Sequence, residues 1–376
     1  MLVGVPAAAA ADTPASTFAD LVDTTDSTVR DAIALAPVVD GHNDLPWEIR
    51  ENGEFSVEGL GSDNPHGKFQ TDVPRLRRGG VGAQFWSVHV PVREQGDAAV
   101  RSALVQIDVV YRLLARYPAD LLVARTGDDV RTAWASGRIA SLVGAEGGHC
   151  LGDNPLPVLR MFARLGVRYL TLTHNTNTLW ADSATDEPAH DGLTDTGRAV
   201  VAEMNRLGVL VDLSHVSPTT MHDALDVTTA PVIFSHSSAR GVTDHPRNVP
   251  DDVLPRVTTN GGVVMIAFVP SFLSADYAAW REGDRHGDPP PVTVDDLVRH
   301  VEHARDLVGI DHIGLGGDYD GFPAFPPGLH DVSGYPRLLE ALAARGWNAA
   351  DLSKLTGRNV LRVIDETSPA ASAATT

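Results

Sequence analysis

The chain is poor in several residues that build familiar kinds of site. It has one cysteine, Cys150, in 376 residues. No intrachain disulfide can form, and no cysteine-based zinc site is available. Cys150 reads as a loop thiol rather than a nucleophile. Basic residues are also scarce, with 30 Lys+Arg against 49 Asp+Glu and a formal net charge of -19. Phosphate backbones demand the opposite balance, so nucleic acid is excluded as a partner. Docking on anionic lipid is excluded for the same reason. The substrate stays open, because a negative surface can surround a positive site. No apolar run reaches the roughly 20 residues of a membrane span. The Ala-rich start, residues 1–11, lacks a basic n-region and makes a poor signal peptide, so a cytoplasmic location is expected. An export signal lost from a trimmed start would leave the same sequence. Residues 1–16 and 366–376 are expected to be disordered ends.

What is present is ample apolar material, 43% of the chain. It is arranged in eight short β-branched runs at residues 38–44, 81–90, 139–147, 167–175, 209–216, 232–238, 262–269 and 312–320. The runs are apolar nearly throughout rather than alternating, as in parallel strands covered on both faces. Helical patterns lie between them, at 98–116, 155–165, 194–207, 218–227, 250–259 and 294–308. Ser217-Pro218 and Thr293 with Asp295 and Asp296 carry the chemistry of helix starts. The alternation predicts an α/β fold, a (β/α)8 TIM-type barrel spanning residues 17–365 as one domain. Segments 17–35, 335–345 and 348–364 are extra N- and C-terminal helices. Two Pro/Gly-rich loops, 51–80 and 271–292, are long enough to form a substrate site at the C-terminal rim.

The position of the polar residues is the informative fact. Six of the eight predicted strand ends carry a group that binds metal or moves a proton: His42 with Asp44, Glu146, His174, His215, His236 and Asp318. Catalytic groups of barrel enzymes cluster at this rim. Residues i and i+2 of a strand share a face, so His42 and Asp44 can reach one ion together. Imidazole and carboxylate both suit zinc or a similar divalent metal. His215 and His236, from adjoining strands, can hold a second ion, and Glu146 has two oxygens with which to bridge the pair. Any one of these has a duller reading: a lone barrel histidine is more often structural, and Asp318 in Gly-Gly-Asp-Tyr-Asp suits a turn. The combination favours metal, the more so because the same strands hold few other polar residues inside the barrel. His66, His190, His222, His245, His286, His300, His303 and His330 read as surface residues. His312 opens the eighth strand, at the wrong end for chemistry. His89 and His149 read as structural, with a supporting role at the metal site as the alternative.

Laid out in order, these stretches resemble the membrane (renal) dipeptidase family of metallopeptidases, within the amidohydrolase-like barrels. The matching blocks are DGHNDLPW (40–47), AEGGH (145–149), RYLTLTH (168–174), WADS (180–183), VDLSHVS (211–217), VIFSHSSA (232–239), RNVPDD (247–252) and GLGGDYDG (314–321). The resemblance covers roughly residues 17–365. The resemblance implies that His42 and Asp44 bind one metal, that His215 and His236 bind another, and that Glu146 bridges them. It implies that His174 polarises the scissile carbonyl, that Arg247 grips the substrate carboxylate and that Asp318 shuttles the proton. Asp320, two residues on in an extended run, would face the same way. The expected activity is hydrolysis of dipeptides, C-terminal D-residues included, by a hydroxide bridging two divalent metal ions, zinc first among them. A homodimer is expected from the family alone. The mammalian members' disulfides and lipid anchor have no counterpart here, and Phe272 stands where those enzymes carry tyrosine. The rival readings are a lactonase, cyclic amidase or deaminase on the same metal site, a non-catalytic metal-binding protein, and a carboxylate-pair glycosidase.

Overall fold

The computed structural model describes residues 17–62 and 68–368. The start expected to be disordered (1–16), residues 369–376 of the tail, and His66 lie outside them. Eight strands form the centre: β1 (Val38–Asn43), β2 (Val81–His89), β3 (Ile139–Glu146), β4 (Val167–Thr171), β5 (Leu210–Asp212), β6 (Ile233–Phe234), β7 (Val263–Ile266) and β8 (Ile313–Leu315). Each pairs in parallel with the next. β8 pairs back onto β1 through Leu315 and Asp40, so the sheet closes into the expected (β/α)8 barrel. The later strands are shorter than the apolar runs that contain them, and the residues left over form the rim.

Local chemistry explains the helices that cover the barrel. Gly96–Arg116 buries Ala99, Ala103, Ile107, Val110 and Leu114, spaced by three or four residues, so that one stripe faces the strands. Pro218 opens Pro218–Val227, and the Ser217 hydroxyl accepts from the Thr220 N–H. Thr293 and Asp296 form a capping box at the start of Val294–Val308. Gly166 and Gly208 end their helices at φ 105° and 68°, a left-handed turn that points the chain straight into β4 and β5.

The structure also departs from the sequence reading. A short strand, Leu121–Val123, runs beside the first half of β3. Helices Leu45–Glu51 and Gly127–Ala135 went unread. The segment 17–35 is two helices, Phe18–Leu21 and Ser27–Leu35, rather than one. The loop at 51–80 contains the helix Val73–Arg78, and that at 271–292 contains the whole of Ala275–Glu282. Both are too short for hydrophobic periodicity to register. The last helix, Asn359–Thr367, runs on past residue 365. Among the described residues no helix is long and apolar enough to cross a membrane.

Candidate metal centre

The C-terminal rim opens into a cavity of about 610 Å³ whose lining includes Asp44, Glu146, His174, His215, His236, Arg247 and Asp318. His42 lies fully buried beneath it. All eight residues singled out from the sequence therefore converge. Glu146, the last residue of β3, sits at the middle of the cluster. Its Oε2 is 3.6 Å from His42 Nε2, which lies 3.3 Å from Asp44 Oδ2. Its Oε1 is 3.1 Å from His215 Nε2 and 3.4 Å from His236 Nε2. The last two nitrogens are themselves 3.0 Å apart.

Backbone strain contributes to this convergence. His215 and Asp318 adopt φ 69° and 64°, in the left-handed region that side chains other than glycine avoid. Asp44 lies just past β1 with φ -92° and ψ 15°, so it meets His42 by leaving the strand rather than by alternation along it. The same departure separates Asp318 from Asp320. Asp320 also has φ 64°, and its carboxylate accepts from the Gln70 N–H at 2.7 Å instead of facing the cavity. The assumption of an extended run, under which the two would point together, does not hold.

The electrostatics call for positive charge. Burial works against charging His42, yet the Glu146 and Asp44 carboxylates outweigh it and raise the imidazole to about 10. A divalent cation would meet the same demand in place of that proton. Burial holds His215 and His236 well below the ordinary histidine range, so their lone pairs are free. His42 Nε2 and Asp44 Oδ1 are buried without a hydrogen-bond partner. Two triads, His42/Asp44/Glu146 and Glu146/His215/His236, each have donor atoms close enough together for one ion. Borderline nitrogen and hard oxygen donors of this kind fit zinc or a similar divalent metal.

Around this centre, burial lowers His174 to about 3, leaving a neutral imidazole with its Nε2 3.7 Å from Glu146. Burial lowers Arg247 to about 10, so it stays cationic at neutral pH. Its guanidinium donates to the His236 carbonyl and to Ser237 Oγ, and its Cζ lies 5.1 Å from the Phe272 ring centre. Asp318 is raised to about 8 by burial and by Asp44 and Glu146, against the opposite pull of His42 and Arg247.

Several histidines differ from their sequence reading. His89 places Nδ1 3.0 Å from Glu146 Oε2 and stacks edge-on against Trp47, so it belongs to the site. His245 lines the cavity against Phe272 rather than lying at the surface. His300 is fully buried, with Nδ1 accepting from the Ala239 N–H. His149 is structural, bonded to the Val90 carbonyl. Burial raises the Cys150 thiol to about 12, which removes it as a nucleophile. The strands are also more polar than expected: Asp40, Gln84, Thr171, Asp212 and Ser235 are all fully buried. Of the two long loops, 271–292 supplies the cavity with Ser271, Phe272, Arg281, Glu282 and Arg285, while the described residues of 51–80 supply none of its lining.

A closed parallel barrel with histidines and carboxylates converging at its C-terminal rim defines a metal-dependent hydrolase of the amidohydrolase-like kind. More particularly, residues 27–376 match the membrane dipeptidase family, peptidase family M19, and the chain belongs to it. It is 46% identical over 341 residues to an uncharacterized dipeptidase of Schizosaccharomyces pombe (strain 972 / ATCC 24843), covering 87% of this chain and 80% of that one. It is 45% identical over 336 residues to dipeptidase tcpJ of Claviceps purpurea (strain 20.1), covering 87% and 76%. Among solved structures, a metallo peptidase from Rhodobacter sphaeroides liganded with a phosphinate mimic of the dipeptide L-Ala-D-Ala superposes with a TM-score of 0.78. It is 28% identical, with 88% of this chain and 99% of that one covered. The protein is a metallopeptidase that acts on dipeptides.

Proposed function

We propose that the protein hydrolyses the amide bond of dipeptides with two divalent ions, zinc being the expected metal, at the cavity above the barrel. One observation carries the proposal: Glu146 turns one oxygen toward His42 and the other toward His215 and His236. A carboxylate so placed can be shared between two ions. His42 and Asp44 would hold one, His215 and His236 the other. Bound there, the ions supply a Lewis acid and a water acidified toward a pKa of about 7.

The chain's own groups do the rest. Arg247, braced by the His236 carbonyl and the Phe272 ring, keeps other N–H groups for a substrate carboxylate, which it can grip through two parallel hydrogen bonds. That favours a substrate whose C-terminal carboxylate lies one residue from the scissile bond. Neutral His174 offers an N–H to the carbonyl oxygen as negative charge gathers there. Asp318 feels burial and two carboxylates pushing its pKa up while Arg247, and any cation beside it, pulls it down. That balance suits a group that takes a proton from water and returns it to the leaving amine. The ligand of the Rhodobacter sphaeroides relative, a mimic of L-Ala-D-Ala, supports acceptance of a D-residue at the second position.

The test is metal analysis of the purified enzyme together with a dipeptide library that includes D-residues at position two. Two metal equivalents per chain, activity lost on chelation, and cleavage of X-D-Ala are expected. A chain active without stoichiometric metal would refute the two-ion site. Cleavage of X-L-Ala alone would remove the D-residue.

A further inference from the structure

Resting on the two-ion reading above, we propose that Asp212, buried below the metal centre, is a positioning residue that sets the tautomer of the His236 imidazole. Four donors surround its carboxylate. Oδ1 accepts from the backbone N–H groups of Ser214 at 3.1 Å and Ser235 at 2.8 Å. Oδ2 accepts from the hydroxyls of Thr171 at 2.5 Å and Ser235 at 2.6 Å. These donors fill all four lone-pair directions of the carboxylate. None of these partners lies in the catalytic cavity, and the sequence reading did not single out any of them.

The direction of every other proton follows from that. Ser235 has one hydroxyl hydrogen, and Asp212 takes it. Ser235 Oγ must then act as acceptor toward His236 Nδ1, 2.8 Å away. The His236 hydrogen is therefore on Nδ1, and its Nε2, facing Glu146, is left as a lone pair. The other ion site has a separate contact, the Tyr169 hydroxyl 2.7 Å from His42 Nδ1. Asp212 thus orients the His236 imidazole through one serine, by hydrogen bonds that point in one direction only.

Asp212→Asn tests this because it changes polarity at constant shape. The two backbone N–H groups fix the amide oxygen in the Oδ1 position, so the amide NH2 faces Ser235 and donates to it. The serine hydrogen then turns toward His236, whose imidazole is driven to carry its hydrogen on Nε2. The measurement is zinc content of the full-length enzyme equilibrated in graded zinc buffers. The wild type is expected to hold two zinc ions. Asp212→Asn is expected to lose affinity for one of them by about 10- to 100-fold while sparing the other. Ser235→Ala removes the acceptor of His236 Nδ1 and should weaken the same equivalent. Thr171→Val removes a donor without reversing polarity, and should bind both equivalents as the wild type does.

Wild-type zinc affinity in Asp212→Asn or in Ser235→Ala overturns the proposal. A loss in Thr171→Val as large as that in Asp212→Asn also overturns it, since disturbed burial would then suffice. If Asp212→Asn fails to fold, Ser235→Ala decides, because it leaves the carboxylate and its other three donors in place. A wild-type chain that takes up no zinc overturns the two-ion reading and this one together. A wild type with two ions and unaffected variants overturns this one alone.

Discussion

Asp44 and Asp318 close on the same face of Gly321: a Cβ at that glycine would lie 2.3 Å from Asp44 Oδ2 and 2.6 Å from Asp318 Oδ1. Two carboxylates that the mechanism assigns to different tasks thus share a space that only glycine leaves open. The substitution Gly321→Ala would push either or both aside. Misplacement of reacting groups by about 1 Å costs on the order of 100-fold in rate. We expect kcat/KM to fall by that order while the melting temperature changes little. A variant as active as the wild type would mean that the two carboxylates need no such precision.

The proposed proton carrier can be told apart from the proposed metal ligands. Asp318→Asn keeps the shape of the side chain and removes its ability to exchange a proton. Metal content should be unchanged, and kcat should fall by about 100- to 10,000-fold, the usual worth of a general acid–base group. Loss of metal in parallel with activity would make Asp318 a ligand. Near-wild-type turnover would remove it from the mechanism.

Arg247 should discriminate substrates by their carboxylate. Arg247→Ala is expected to raise KM for dipeptides about 10- to 100-fold, the range of a hydrogen bond to a charged group. C-terminally amidated dipeptides, which are expected to be poor substrates of the wild type, should lose much less. Equal losses on both substrate sets would show that the guanidinium only supports the rim through the His236 carbonyl and Phe272.

Asp320 predicts a pH dependence of stability rather than of activity. Burial raises its carboxyl from the ordinary 3.8 to about 7. Below 3.8 the group is protonated in both folded and unfolded chains. Between 3.8 and about 7 the folded chain alone keeps the proton, so stability is full at low pH and declines as pH rises through that window. Asp320→Asn retains an oxygen for the Gln70 N–H and carries no charge. Its melting temperature should exceed that of the wild type at pH 8 by about 2 °C or more and match it near pH 4. A lower melting temperature at pH 8 would contradict the burial argument.

The residues that converge at the rim were legible in the sequence because the runs that contain them are mostly apolar, so that a histidine or carboxylate at the end of such a run stands out. His42, Glu146, His215, His236 and Asp318 stand out in this way. Asp212, Ser235 and Tyr169 do not, although they lie in the same runs. A buried polar residue inside a strand gives no sign in sequence of which neighbour satisfies it. His89 and His245 were misjudged for a related reason: nothing local distinguishes a histidine turned toward a cavity from one turned toward solvent.

The sequence by itself determined the alternation of strands and helices, and with it the closed parallel barrel and the rim on which its polar strand ends gather. Periodicity, capping residues and helix-ending glycines are local, and local chemistry suffices to read them. Only the tertiary structure decided which oxygen of Glu146 faces which imidazole, that Asp318 and Asp320 diverge, and that a carboxylate beneath the site is linked through Ser235 to His236. Those relationships depend on left-handed backbone turns at His215, Asp318 and Asp320 and on hydrogen bonds between strands distant in the chain. Nothing short of the packed barrel brings those groups within reach of one another.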